Sequence, residues 1–283
     1  MAFFTRGDQG FQPLPFAASQ WAPNSINGSA LAGLAAHVLE SDQGRPEFRV
    51  ARFTMDIFRQ PKFAPLQADT SLVRAGRSIR ISDVLVQQDG RAVARASMVS
   101  IKSTQQPAGT RWYPDDQPMP LPEQLATALS EPGIHWGSDA HPDGWSSSMS
   151  EHQNASRKRL WFHQPQVMAE LENTAFVRAA MLGELTNTLT SWGDRGIGFI
   201  NHDVTIVLAR MPIGPAVGIQ ADNHISEDGV AAGAATMWDR HGRFGISVVG
   251  SIAHMAGSLD VSDAAEEWGD DNVSNKPVFD NAN

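Results

Sequence analysis

The sequence predicts an α+β protein made of two tandem units, each an antiparallel sheet wrapped around a long helix. Two observations lead to this prediction. The chain repeats itself at an offset of about 150 residues, and each copy starts with an apolar helix that strands follow. With 283 residues and a hydrophobic content of 41%, the chain is long enough to bury a sizeable core.

The repeat consists of four landmarks that keep their order and spacing. In the first copy they are 52–61, Gln67-Ala68-Asp69, Asp89-Gly90-Arg91 and Ser100-Ile101. In the second copy they are 203–212, Gln220-Ala221-Asp222, His241-Gly242-Arg243 and Ser251-Ile252. One short match carries little weight, but four matches in register indicate a duplication.

Each copy begins with an apolar helix. In the first copy Leu31, Leu34 and Val38 recur at helical spacing, and alanines fill most positions between them, so this helix needs cover on nearly all sides. Asn27 offers a capping oxygen before the helix, and Gly44 follows its end. In the second copy we expect one helix at about 176–189.

Strands follow each helix. Phe53, Met55 and Ile57 alternate with polar residues, as a half-buried antiparallel strand requires. Asp89-Gly90 indicates a hairpin turn between strands at about 79–86 and 92–101. The second copy carries comparable turn signals at Glu227-Asp228-Gly229 and Arg240-His241-Gly242.

These patterns predict four segments along the chain: an N-terminal unit at 1–105, a connector at 106–148, a C-terminal unit at 149–256 and a tail at 257–283. The connector is too rich in proline for continuous secondary structure. Its aromatic residues indicate packing on the units; they are Trp112, Tyr113, Trp136 and Trp145. The tail is acidic with few apolar residues, which favours a solvated and disordered segment.

Composition and motifs exclude several classes of protein. A net charge of −9 argues against nucleic acid as the main partner. From the start of the sequence and its apolar runs we expect no signal peptide and no membrane span, and with zero cysteines we expect a cytoplasmic protein without disulfides. The nine histidines form no closely spaced ligand set, so we predict no metal. Without a nucleophile elbow or a phosphate-binding loop, we predict neither an α/β-hydrolase nor a cofactor.

The sequence resembles the acyl-CoA thioesterase II family and its actinobacterial thioesterase-like relatives over about 16–255. The segments that carry the resemblance are 52–61, Val73-Arg74-Ala75-Gly76-Arg77 and 198–203 leading into 239–244. The resemblance implies a double hotdog fold, in which two hotdog units join their sheets side by side. It also implies an acyl-CoA substrate and leaves the oligomeric state open, a homodimer or a higher homo-oligomer included.

Family members hydrolyse an acyl-CoA thioester with water, using an acid on the second unit's helix, a threonine or asparagine, and a glutamine. In this chain the resemblance places the acid at Glu184 and the threonine position at Asn201. The glutamine position falls on Val249 or Gly250, and neither has a side-chain amide. The implied function is an acyl-CoA thioesterase in which Glu184 is the base and Asn201 positions water. The alternative is a non-catalytic acyl-CoA or acyl-chain binding protein that has lost part of this set.

Five further residues are candidates for substrate binding. Asn27 and Gly28 would present backbone N–H groups at a helix N-terminus to an oxyanion or phosphate. Asn187 lies three residues after Glu184 on the same helix face, Asp203 would act beside Asn201, and Arg77 would hold coenzyme A phosphates. The structural alternatives are a surface glutamate, turn residues and solvated strand arginines.

Overall fold

The computed structural model describes residues 1–22, 24–113, 119, 121–255 and 257–261. The helices are α1 Gly28–Gln43, α2 Glu123–Ala128, α3 Ala175–Glu184 and α4 Thr186–Ser191. The strands before α2 are β1 Ala2–Gly7, β2 Gly10–Pro13, β3 Arg49–Ile57, β4 Gln67–Ala75, β5 Ile79–Gln88 and β6 Arg91–Ile101. The strands after α2 are β7 Gly133–Ser138, β8 His141–Ser146, β9 Lys158–His163, β10 Gln166–Met168, β11 Trp192–Gly193, β12 Gly196–Ile197, β13 Phe199–Asn201, β14 Asp203–Leu208, β15 Ala216–Glu227, β16 Val230–Asp239 and β17 Gly242–Ala253.

One antiparallel sheet of 12 strands joins the two units. Its order is β4-β5-β6-β3-β14-β17-β16-β15-β9-β7-β8, with β13 paired to β17. The strands β3 to β6 therefore correspond, one by one, to β14 to β17. The two halves meet where Thr54 of β3 lies opposite Thr205 of β14, with their hydroxyl oxygens 3.0 Å apart. Because these two threonines are also partners in the sequence repeat, a pseudo-two-fold axis passes through them. The predicted double hotdog is confirmed.

The predicted first helix and its cap are confirmed. Asn27 caps α1 by accepting a hydrogen bond from the Ala30 N–H at 2.7 Å, and Gly44 ends the helix with an N–H bond to the Glu40 carbonyl. The leucines and alanines between these ends are buried on nearly all sides, because α1 packs against α3, β4, β5, β6 and β10. Both ends of α1 are therefore held by local hydrogen bonds, and its middle by apolar burial.

The second helix is not continuous, contrary to the prediction. It breaks at Leu185, so that α3 ends on Glu184 and α4 begins on Thr186. The carbonyl of Gly183 accepts hydrogen bonds from the hydroxyls of Thr186 at 2.6 Å and Ser247 at 3.1 Å. These hydroxyls compete with the regular backbone hydrogen bonds of the helix, which accounts for the break. The break leaves Glu184 at a helix end.

The connector contains regular structure that its proline content did not predict. It includes α2, and β7 and β8 extend the main sheet beyond β9. Pro142 lies in β8, the outermost strand, where a missing N–H costs no ladder hydrogen bond. Trp136 is buried and Trp145 packs on a second core with Trp161 and Trp238, but Trp112 and Tyr113 are exposed.

The first residues of the tail pack on the C-terminal unit, contrary to the prediction for that part. Leu259 pairs with Ile197 through backbone hydrogen bonds, and both Leu259 and Val261 are buried in the main core. The rest of the predicted disordered tail, from residue 262 onward, lies outside the described residues. Among the helices in the described part of the chain, none has the length and apolarity needed to span a membrane.

Candidate active site

Glu184 lies where the two units meet. As the last residue of α3 it is half-buried, and its carboxylate sits against the first turn of α1 from the other unit. A Cβ atom added at Gly28 would lie 1.9 Å from Glu184 Oε1, so only glycine leaves room for the carboxylate in this position. The Ser29 hydroxyl has two acceptors within reach of its single proton, Glu184 Oε2 at 3.3 Å and the Met181 carbonyl at 3.1 Å.

Asn201 completes the contacts of this carboxylate. Its Nδ2 donates to Glu184 Oε1 at 3.4 Å and to the Asp203 carbonyl at 3.4 Å. Asn201 occupies the end of β13, opposite Ser251 of β17, and thereby faces the helices. The structure thus brings together the two residues that the sequence places in catalytic positions.

The surroundings of Glu184 suit a carboxylate that exchanges protons near neutral pH. Burial raises the pKa of Glu184 to about 7, and the hydrogen bonds from Asn201 and Ser29 act in the opposite direction. The N–H groups of Gly28 and Ser29, at the start of α1, have no acceptor among the described residues. A general base and two backbone donors therefore lie side by side.

Asn27 and Asn187 use their side chains within the protein. The Asn27 amide, besides capping α1, donates to the carbonyls of Phe16 at 3.1 Å and Ala18 at 3.3 Å. The buried Asn187 donates to the Phe199 carbonyl at 2.9 Å, and its Oδ1 accepts from the Ser251 hydroxyl at 2.7 Å. Asn27 therefore holds the loop that presents Gly28, and Asn187 fastens α4 to β13 and β17.

Asp203 faces away from Glu184. Its Oδ1 accepts from the Gly250 N–H at 2.6 Å and lies 3.4 Å from His202 Nδ1. The next residue, Val204, is buried under the helices, so Asp203 projects from the opposite, outer face of the sheet. A cavity of about 450 Å³ lies on that face beside Asp203 and His202.

Arg77 lies at the far end of the sheet. It is exposed in the turn between β4 and β5, close to Ile79 and Ile101, and Ile101 pairs with Arg49 at the start of β3. Asp203 pairs with Asp56 near the other end of β3. At about 3.4 Å per residue, most of the strand length, on the order of 20 Å, separates Arg77 from the Glu184 region.

Two residues near Glu184 were not singled out from the sequence. Ser29 contacts Glu184, which is 155 residues away in the sequence. The sequence itself shows only that Ser29 is a polar residue at the start of an apolar helix. Lys62 is exposed and forms a backbone bridge with Ser25, two residues before the α1 cap. Lys62 is therefore a basic residue much closer to the site than Arg77 is.

The two residues at the expected glutamine position face opposite sides. Val249 is buried in the core below the sheet. A Cβ atom added at Gly250 would come within 2.7 Å of His202 Cε1 on the outer face. No group of three or more metal-ligating side chains occurs within the described ranges.

Residues 17–101 match a family model described as the acyl-CoA thioesterase N-terminal domain. This match lies within the first unit. This unit supplies α1, and with it Gly28 and Ser29, while the second unit supplies Glu184 and Asn201. No curated protein matches the chain in sequence.

Solved structures share the double hotdog arrangement over most of the chain. The tesB protein of Mycobacterium avium subspecies paratuberculosis is 16% identical, with a TM-score of 0.60 over 88% of this chain and 95% of its own. The acyl-CoA thioesterase II TesB2 of Mycobacterium marinum is 14% identical, with a TM-score of 0.59 over 81% and 90%. A hot dog fold protein of Alicyclobacillus acidocaldarius is 14% identical, with a TM-score of 0.60 over 82% and 88%. At these identities the likeness shows the fold.

Proposed function

We propose that this protein hydrolyses an acyl-CoA thioester, with Glu184 as the general base and Asn201 as the residue that positions the attacking water. One observation carries the proposal: the Glu184 carboxylate lies against Gly28 in the first turn of α1, whose N–H group has no acceptor among the described residues, and 3.4 Å from the Asn201 amide nitrogen. The match of residues 17–101 to a model of the acyl-CoA thioesterase N-terminal domain supports the choice of substrate.

Each group has a defined task in the proposed reaction. Glu184 takes a proton from water, and the resulting hydroxide attacks the thioester carbonyl carbon. A backbone N–H of Gly28 or Ser29 stabilises the oxyanion that forms. The C–S bond then breaks, and the proton held by Glu184 goes to the departing coenzyme A thiolate. Ser29 acts as a positioning residue, because its hydroxyl holds the carboxylate.

The phosphates of coenzyme A need a basic partner near the entrance to this site. Lys62 meets this need because it is exposed and bridges to Ser25, beside the loop that leads into α1. Arg59 is also exposed and belongs to the same segment. We therefore assign the phosphate contacts to this segment in preference to Arg77.

One observation favours a second candidate function, a non-catalytic acyl-CoA binding protein. Val249 and Gly250 cannot supply the amide that the resemblance leads one to expect, and Gly250 faces the outer side of the sheet. In that case the crevice would hold acyl-CoA without activating water.

A panel of acyl-CoAs of increasing chain length separates the two candidates. Free thiol release is followed with a thiol reagent, and binding is followed by calorimetry with the same compounds. A thioesterase releases thiol catalytically with at least one chain length. Saturable binding with no thiol release at any chain length would replace the hydrolase with the binding protein.

A further inference from the structure

Two buried hydroxyls meet the carbonyl of Gly183 in the last turn of α3. Thr186 Oγ1 lies 2.6 Å from this carbonyl oxygen and Ser247 Oγ lies 3.1 Å from it, and the two hydroxyl oxygens are 2.6 Å apart. Thr186 and Ser247 are 0% and 1% exposed, so these contacts are shielded from water. We call Thr186 and Ser247 the hydroxyl pair. This pair occupies the carbonyl of the residue directly before Glu184.

Close packing of α3 on the sheet brings the Gly183 carbonyl to Ser247. A Cβ atom added at Gly183 would lie 2.2 Å from Ile206 Cγ2, so only a glycine allows this approach. Ile206 of β14 is the direct partner of Ser247 in β17, and both are buried on the helix side of the sheet. The glycine and the hydroxyl pair therefore belong to one contact between α3 and the sheet.

The N-terminal unit carries no hydroxyl at the equivalent positions. With the helices counted from their first residues and Thr54 set against Thr205 in the strands, the equivalents of Gly183, Thr186 and Ser247 are Ala36, Leu39 and Ala96. All three are buried and apolar. The helix α1 continues without a break from Gly28 to Gln43, whereas α3 ends at Glu184. The copy that carries the hydroxyls is thus the copy whose helix breaks.

We propose that Thr186 and Ser247 are positioning residues that end α3 at Glu184 and so hold its carboxylate against the first turn of α1. The proposal rests on the proposed function, in which Glu184 is the base. At the break the Leu185 N–H bonds to the Leu182 carbonyl, three residues back, which is tighter than the regular bonding of an α-helix. The hydroxyl pair keeps the Gly183 carbonyl occupied, and the chain leaves the regular helix at the base.

The same break directs α4 toward Asn201. Asn187, in the first turn of α4, donates to the Phe199 carbonyl at 2.9 Å, two residues before Asn201 in β13. Without the hydroxyl pair, the Gly183 carbonyl retains the backbone N–H of Asn187, four residues on, as its partner in a regular α-helix. The helices α3 and α4 would then form one helix, as α1 does, and Asn187 would move away from β13. The contact between Glu184 and Asn201 therefore depends on this break.

Removal of both hydroxyls tests the proposal. The double variant Thr186→Val/Ser247→Ala nearly keeps the shape of both side chains and leaves no member of the pair without its partner. Thr186→Ser, which keeps the hydroxyl, is one control. The other control is Ser82→Ala, because Ser82 is also 1% exposed but lies on β5 in the other unit. Each substitution is made in the full chain.

Steady-state thiol release from one acyl-CoA gives the first readout. We expect kcat of the double variant to fall by about 10-fold or more, with KM within about 2-fold of the wild type, because the substrate still binds beside a displaced base. Thr186→Ser and Ser82→Ala should retain the wild-type kcat. An unchanged kcat in the double variant, a loss seen only in KM, or an equal loss in Ser82→Ala overturns the proposal.

A carboxyl titration by NMR separates this proposal from the proposed hydrolysis, since it needs no turnover. The chain is isotopically labelled at the glutamate carboxyl carbons, and the Glu184 signal is the one that Glu184→Gln lacks. Burial raises the pKa of Glu184 to about 7, so displacement of the carboxylate into water should lower that pKa toward 4.5 in the double variant.

The titration decides the matter even for an inactive protein. If the wild type hydrolyses no acyl-CoA, a lower Glu184 pKa in the double variant still supports the hydroxyl pair as the residues that hold Glu184, and only the proposed function fails. A Glu184 pKa that is the same in the wild type and in the double variant overturns the proposal.

Discussion

The N-terminus of α1 packs against α3, and the N-terminus of α3 packs against α1. The pseudo-two-fold axis relates these two places, but their chemistry differs. At the first place the start of α1 meets Glu184, with Ser29 and Asn201 donating to its carboxylate. At the second place the start of α3 meets α1, where the Thr174 hydroxyl donates to Glu40. Burial raises the pKa of Glu40 as well. Both places therefore combine a carboxylate with a helix N-terminus.

The glycine, the serine hydroxyl and the amide that surround the Glu184 carboxylate occur only at the first place. Counted from the first residue of each helix, Gly28 corresponds to Ala175, Ser29 to Phe176 and Glu184 to His37. The strand register relates Asn201 to Val50. The second place thus lacks the glycine, the serine hydroxyl and the amide. A duplicated fold supplies two equivalent positions, but only the first carries the polar side chains that the proposed reaction needs.

Removal of either carboxylate tests this difference most strongly. Glu184→Gln keeps the size and polarity of the side chain but removes the proton acceptor, so kcat/KM should fall by about 100-fold or more. The matched variant Glu40→Gln should retain wild-type activity, because no amide or glycine accompanies Glu40. Steady-state thiol release on one acyl-CoA measures both. Equal losses in the two variants would show that the two places act alike.

Substitution of Gly28 should lower kcat/KM less than the loss of the Glu184 carboxylate does. In Gly28→Ala the new Cβ displaces the flexible Glu184 carboxylate, and we expect kcat/KM to fall by about 10-fold or more. The melting temperature should stay the same or rise, because alanine favours a helix. Ala175→Gly, at the equivalent position of α3, should leave kcat/KM unchanged. Full activity in Gly28→Ala would show that the first turn of α1 takes no part in the reaction.

Loss of the Ser29 hydroxyl should have the smallest effect. The hydrogen bond from Ser29 lowers the pKa of Glu184, so Ser29→Ala should raise that pKa and move the rising limb of the pH profile to higher pH. At pH 6.5 we expect a rate decrease of about 3- to 10-fold, with recovery at high pH. A uniform loss at all pH values would instead indicate a structural role for Ser29.

Local patterns predicted much of the fold. The capped α1 and the hairpin turn at Asp89-Gly90 depend on residues close in sequence. The repeat in β3 to β6 and β14 to β17 was visible because the same short patterns recur about 150 residues apart. The family resemblance placed Glu184 and Asn201 in one site. The break at Leu185 was not predictable in this way, because it depends on a hydroxyl from β17.

Long-range geometry also decided which candidates share the site. Asp203 and Asn201 are two residues apart, and regular alternation would place them on one face. The change of register between β13 and β14 sends Asp203 to the outer face. Arg77 belongs to the turn Val73-Arg74-Ala75-Gly76-Arg77, which carries part of the family resemblance. The sheet order nevertheless places Arg77 far from Glu184. Ser29 joins the site only because α1 packs against α3.

The pH dependence of kcat/KM tests the central claim most directly. A base must be ionised to accept a proton from water, and burial raises the pKa of Glu184 to about 7. The account predicts a rate that rises with pH, with a midpoint near 7, and then reaches a plateau. This rising limb should be absent from the residual activity of Glu184→Gln. A wild-type midpoint near 4.5, the ordinary value of a glutamate, or an unchanged limb in Glu184→Gln, would contradict the assignment of Glu184 as the base.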